Sequence, residues 1–149
     1  MRKVDVLAKG IGLEGHVIVC GYGVVGQKVV DVLLEHNMHF IVIEQDPKKV
    51  EHLRELGYGV VEGDATYSKV LKSAGIENAK AIAVVLDDDA KNLFTVLAAH
   101  DLNKRLFIAA RANDEFVREK LVEIGADYIV MPQRTASKEI VDEITKTKA

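Results

Sequence analysis

Gly21, Gly23 and Gly26 follow directly on a short apolar run, His16-Val17-Ile18-Val19-Cys20, and open an amphipathic stretch from Val24 to about His36. Glycines at the spacing Gly-x-Gly-x-x-Gly, set between a strand and a helix, constrain this chain more than any other feature. The first permits a tight turn, the second lets backbone N–H groups approach a pyrophosphate, and the third lets helix and strand pack closely. The helix then directs the positive end of its dipole at the phosphates.

A second apolar run, His39 to Ile43, ends in Glu44, about 20 residues beyond the glycines, where such a turn places its ribose-binding acid. There a carboxylate accepts hydrogen bonds from the ribose hydroxyls of an adenosine and repels a 2′-phosphate. NAD or an adenosine nucleotide is therefore expected rather than NADP. The plainer alternative is that Glu44 ends its strand in solvent.

The same alternation continues. Asp46 and Pro47 cap and open a helix over Pro47 to Leu56. Strands are expected at Gly59 to Glu62, Ala79 to Leu86, Leu106 to Ala110 and Tyr128 to Met131. Helices are expected at Tyr67 to Ala74, Ala90 to Asp101, Asp114 to Ile124 and, after a break at Pro132, Thr135 to Lys146. Six strands with helical crossovers predict an α/β fold, a Rossmann-type doubly wound parallel sheet in the order 3-2-1-4-5-6. It would occupy residues 16–147 as one domain, with residues 1–15 a linker.

Composition narrows the function classes. A net charge of −3 over 149 residues gives no sign of a nucleic-acid partner. No apolar window is long enough to cross a membrane, and the first fifteen residues lack the apolar core of a signal peptide. Cys20 has no partner for a disulfide, which points to an intracellular setting.

Catalytic machinery is hard to find. No histidine falls at a strand carboxyl end, where ligands of this fold gather. No tyrosine is followed four residues later by a lysine. Asp87, Asp88 and Asp89 sit at a strand end, where they either hold a hard cation or cap the next helix. Arg111, also at a strand end, either pairs with phosphate or forms an ion pair with Asp87 or Asp114. The helix from Ala90 to Asp101 carries Leu93, Phe94, Val96, Leu97, Ala98 and Ala99, more apolar surface than one contact requires. Part of it faces a partner subunit, or the whole helix is buried.

Together, the glycine loop, Glu44, Gly63-Asp64-Ala65-Thr66, the acid-rich turn with Asn92, and Ala110-Arg111-Ala112 strongly resemble the RCK (TrkA-N) family over residues 15–146. These are regulatory domains of potassium channels and of Trk, Ktr and Kef potassium transport systems. The resemblance implies a cytoplasmic sensing domain, held at the inner face of the membrane by its pore partner, that does no chemistry. It would bind NAD or NADH, or alternatively ATP, ADP or AMP. It would assemble as a homodimer, within a ring of eight in many members, and act on a potassium channel or transporter membrane subunit. Carried over by position, Gly21, Tyr22, Gly23, Val24, Val25 and Gly26 would cradle the phosphates, and Glu44 with Gln45 would hold the ribose. Asp64 and Ala65 would border the adenosine, Leu86 and Asp87 would line the crevice, and Arg111 would reach phosphate. The dimer surface would fall on the Ala90 to Asp101 and Asp114 to Ile124 helices. Many members continue into a C-terminal subdomain, whose ligands this sequence does not reveal. The rival reading is the cofactor-binding fragment of an NAD-dependent oxidoreductase, which would need a substrate domain. An NAD-sensing repressor would need a helix-turn-helix and a basic face, and neither is visible.

Overall fold

The computed structural model describes residues 14–147; most of the expected linker, residues 1–13, lies outside the described residues. Six strands, β1 (Val17–Cys20), β2 (Phe40–Glu44), β3 (Val60–Glu62), β4 (Ala81–Val84), β5 (Phe107–Arg111) and β6 (Tyr128–Val130), form one sheet. Its order is β3-β2-β1-β4-β5-β6, with every pair parallel, as the sequence predicts. The helices are α1 (Val24–Glu35), α2 (Pro47–Glu55), α3 (Ser68–Ser73), α4 (Asp89–Leu102), α5 (Glu115–Glu123) and α6 (Pro132–Lys146).

Strand alternation divides the core into two layers. Ile18, Ile41, Ile82 and Ile108 point to one face and pack with Leu71 of α3, Val96 of α4 and Leu121 of α5. Val17, Val19, Phe40 and Val42 point to the other and pack with Val30 of α1 and Val50 and Leu53 of α2. The central strands are thus apolar on both sides, as a buried parallel sheet requires. Beyond β1 this second layer thins out. Phe107 and Tyr128 are exposed, and α6 buries none of its residues although it carries Ile140, Val141 and Ile144.

Two elements differ from expectation by more than a residue at an end. The helix expected from Thr135 begins at Pro132, because proline lacks only an N–H that the first helical position leaves unpaired anyway. The strand expected over Ala79 to Leu86 is confined to Ala81–Val84; Ala79 closes a 3₁₀ turn (Ile76–Asn78). Val85 still donates to the Cys20 carbonyl, 3.1 Å, but Leu86 turns out of the ladder towards α4. No described helix is long and apolar enough to cross a membrane.

His16, just ahead of β1, is buried. Its Nε2 lies 2.8 Å from the Ala74 carbonyl, which can only accept, so Nε2 carries the proton and Nδ1 is left without a partner. Burial holds its pKa below the ordinary value, with the Ala74 bond opposing weakly. A lowered histidine pKa stabilises the fold fully above the unfolded value of about 6.5, and that contribution is lost as pH falls below it. Chemical denaturation between pH 7 and about 5.5 is therefore expected to show wild type losing stability more steeply than His16→Gln. Equal slopes would remove His16 as the cause.

Candidate functional site

The three glycines of the first turn do different things. Gly21 has φ +99°, a left-handed value that disfavours side chains, and a Cβ there would lie 3.0 Å from the Leu86 side chain. At Gly26 a Cβ would overlap the Gly21 carbonyl. Gly23 has open space around it, as a position that a ligand approaches must. It also caps α1 with no side-chain hydrogen bond and no acid in the first turn, so the first N–H groups of α1 remain open to an anion.

Within this loop only the backbone faces the cleft. The Tyr22 ring is buried in the second core layer, Val25 packs partly against it, and Val24 points to solvent. Burial raises the pKa of the Tyr22 hydroxyl, with smaller contributions from Asp31 and Tyr58. At these three expected positions, therefore, the turn offers its main-chain groups rather than its side chains.

Glu44, at the carboxyl end of β2, ties the loop to its own strand. Tyr22 N–H donates to Oε1 at 2.8 Å, and the N–H groups of Gln45 and Asp46 donate to Oε2, both at 2.9 Å. An ionised carboxylate offers about four acceptor positions, so one remains for an incoming hydroxyl.

Beside Glu44 is a pocket of about 190 Å³. Of the expected residues it gathers Glu44, Gln45, Asp64, Ala65, Leu86 and Asp87. Its volume is below the roughly 300 Å³ of a site enclosing a whole drug-sized ligand, so it suits part of a longer molecule rather than a whole one. Asp64 is held by the backbone N–H of Thr66 at 2.9 Å and by the Thr66 hydroxyl at 2.7 Å. The backbone bond lowers its pKa most; burial opposes this, while the hydroxyl and the Lys91 charge add to it.

The three aspartates after β4 are each engaged. Asp87 pairs with Arg111 at 3.2 Å, Asp88 caps α4 by accepting from Lys91 N–H at 3.0 Å, and Asp89 accepts from Asn113 N–H at 3.0 Å. Among the described residues no group of three or more acids, histidines or cysteines is placed to hold a metal ion. Arg111, whose side chain is 13% exposed, does not line the pocket and reaches it only through Asp87.

Residues beyond the expected set contribute too: Ile43, Gly63 and Asp88 also line the pocket, and Lys91 and Asn92 add side-chain contacts. Lys91 lines the pocket, its Nζ 3.5 Å from Gln45 Oε1 across the opening. Its signal in the sequence is slight: it stands three residues after the capping Asp88, on the first turn of a helix that opens at a strand end. Asn92 is fully buried between β4, β5 and α4; the sequence places it in the acid-rich turn, and only the packing gives it a task.

A family model for the TrkA-N domain matches residues 17–132. Potassium channel protein 1 of Methanocaldococcus jannaschii is 36% identical over 130 residues, 86% of this chain. The chain spans only 39% of that protein's length. Among solved structures, the TrkA-N domain of the inner membrane protein ybaL from Escherichia coli superposes with a TM-score of 0.85 at 27% identity, covering 89% of this chain and 98% of that one. The GsuK channel bound to NAD gives a TM-score of 0.72 at 26% identity, covering 79% of this chain and 21% of that one. The Shewanella denitrificans Kef C-terminal domain in its AMP-bound form gives 0.77 at 25% identity, covering 87% and 79%.

The different demands on Gly26 and Gly23 are separable. Gly26→Ala is expected to destabilise the fold by about 1–3 kcal/mol or more, because the new methyl has no room. That lowers Tm by several degrees. Gly23→Ala should cost less, about 0.5–1 kcal/mol and at most a few degrees of ligand-free Tm, since the new methyl meets nothing and the loss is only alanine's poorer fit at a helix N-cap. Calorimetric melting of the two variants checks both, and equal losses would refute the assignment.

Proposed function

The chain belongs to the TrkA-N domain family, and we propose that it is the nucleotide-sensing regulatory domain of a potassium channel or transporter, a binding domain rather than an enzyme. The observation that carries this reading is the cleft in which an uncapped helix N-terminus, the open face of Gly23 and the remaining acceptor of Glu44 converge beside the Asp64 pocket. An adenosine ligand fits that arrangement: phosphates at the first turn of α1, a ribose hydroxyl at Glu44, and the base in the pocket beside Asp64, Ala65 and Leu86. NAD, NADH, AMP, ADP and ATP all share those features. The NAD-bound GsuK and AMP-bound Kef structures support the class. In a phosphate-bearing complex Arg111 would exchange part of its pairing with Asp87 for the ligand.

The partner in this reading is a potassium-conducting membrane subunit or a pore segment of the same polypeptide, which would place the domain on the cytoplasmic side. Ligand would act through its preference for one conformation of the assembly over another. Two copies are proposed to meet through α4 and α5, whose outward faces expose Phe94 (61%), Leu97 (53%) and Phe116 (66%). Apolar side chains grouped like this on neighbouring helices mark a contact surface. Phe94→Asp is expected to convert a dimer to a monomer in light scattering; a dimer that persists would take α4 out of the interface.

A thermal-shift panel of NAD, NADH, AMP, ADP, ATP and NADP tests the ligand. At about 100 times its Kd a ligand stabilises the fold by roughly 2.7 kcal/mol, which is several degrees in Tm for a chain of this size. At least one adenosine ligand should give that shift in wild type and lose it in Glu44→Ala, while NADP should give less. A panel in which no adenosine compound shifts wild type would overturn the proposal.

A further inference from the structure

Asn92 is a polar side chain with no solvent exposure, and its amide is almost fully used. Oδ1 accepts from Leu86 N–H at 3.1 Å, while Nδ2 donates to the Leu86 carbonyl at 2.9 Å and to the Arg111 carbonyl at 3.0 Å. One amide group thereby grips both backbone groups of Leu86, which lines the pocket, and the end of β5 as well. The residue belongs to the first turn of α4, and Phe94 and Leu97 on the opposite side of that helix are exposed.

The other links between the strand ends and α4, Asp89 to Asn113 N–H and Asp88 to Lys91 N–H, are exposed to water, where such bonds are readily exchanged. The Asn92 bonds are shielded, and breaking one strands a buried donor or acceptor. Leu86 and the first turn of α4 therefore move as one body. Leu86 also lies against the glycine turn, within 3.0 Å of where a Gly21 Cβ would be.

We propose that Asn92 is a positioning residue that couples occupancy of the nucleotide cleft to the outward face of α4, by fixing the Leu86 backbone to that helix. This rests on the cleft being a nucleotide site. Displacement of Leu86 by a bound base is passed through the Asn92 amide to the helix that carries Phe94 and Leu97.

The test is a ¹H–¹⁵N NMR titration with AMP and with NAD on wild type, Asn92→Asp and Asn92→Ser. In wild type, ligand is expected to shift the amides of Gly23 and Asp64 in the cleft and those of Phe94, Leu97 and Ala98 on α4. In the variants the cleft amides still shift, while the α4 shifts fall to less than half. Asn92→Asp is the sharper variant, because it keeps the acceptor for Leu86 N–H and turns the donor into an oxygen facing two carbonyls. A merely structural role would weaken both sets together or neither. The Asn92 side-chain NH₂ resonances of wild type supply a reading that needs no variant. They should move on ligand addition. Full α4 shifts in a folded variant, or an unmoved Asn92 side chain, would overturn the coupling. Wild type in which no cleft amide responds would instead defeat the nucleotide reading, and this inference with it.

Discussion

The chain can leave β1 and enter α1 only because Gly26 has no side chain where α1 passes the Gly21 carbonyl. That contact fixes the angle of the first helix against the central strand, and β1 is flanked by β2 on one side and β4 on the other. The same turn brings Gly21 against Leu86 at the end of β4. The carboxyl ends of the inner strands therefore converge on one cleft because a single backbone turn is tight enough to let them.

Polar groups around the cleft are arranged before any ligand arrives. Glu44 joins the loop to β2 through Tyr22 N–H, Asp64 is locked by Thr66, and Arg111 is held by Asp87. Each places a charge at a strand end without leaving it unpaired. Four carboxylates, Glu44, Asp64, Asp87 and Asp88, face a single lysine, Lys91, around the pocket. That sign disfavours anions in the pocket, whereas the helix N-terminus, where the backbone supplies positive potential, suits them.

Helix α4 joins two kinds of surface. Its inner side, Asn92, Thr95, Val96 and Ala99, is buried against the sheet, and its outer side leaves Phe94 and Leu97 in solvent. The sequence shows only that the helix is apolar around most of its circumference. Which part faces inward depends on the path of the chain after Leu86, where the Asn92 side chain completes the turn. Apolarity on both sides leaves the outer face of α4 available to the dimer contact proposed above.

The glycine spacing, the acid at Glu44, the proline at the start of α2 and the alternation of runs determine the parallel sheet, its strand order and the end at which the cleft lies. These are local choices of backbone conformation and periodicity, and each is readable within a few residues. What the sequence leaves open is decided by contacts between residues far apart in the chain. Arg111 pairs with Asp87 rather than Asp114, the three aspartates serve an ion pair, a cap and a loop N–H rather than one shared centre, and Pro132 begins a helix instead of preceding one. Lys91 comes to the pocket, and Asn92 to the junction of β4 and β5, only because the crossover helix returns its first turn to the strand ends. Hydrogen bonds of that kind depend on ångström-scale placement across the sheet, which no spacing along the chain encodes.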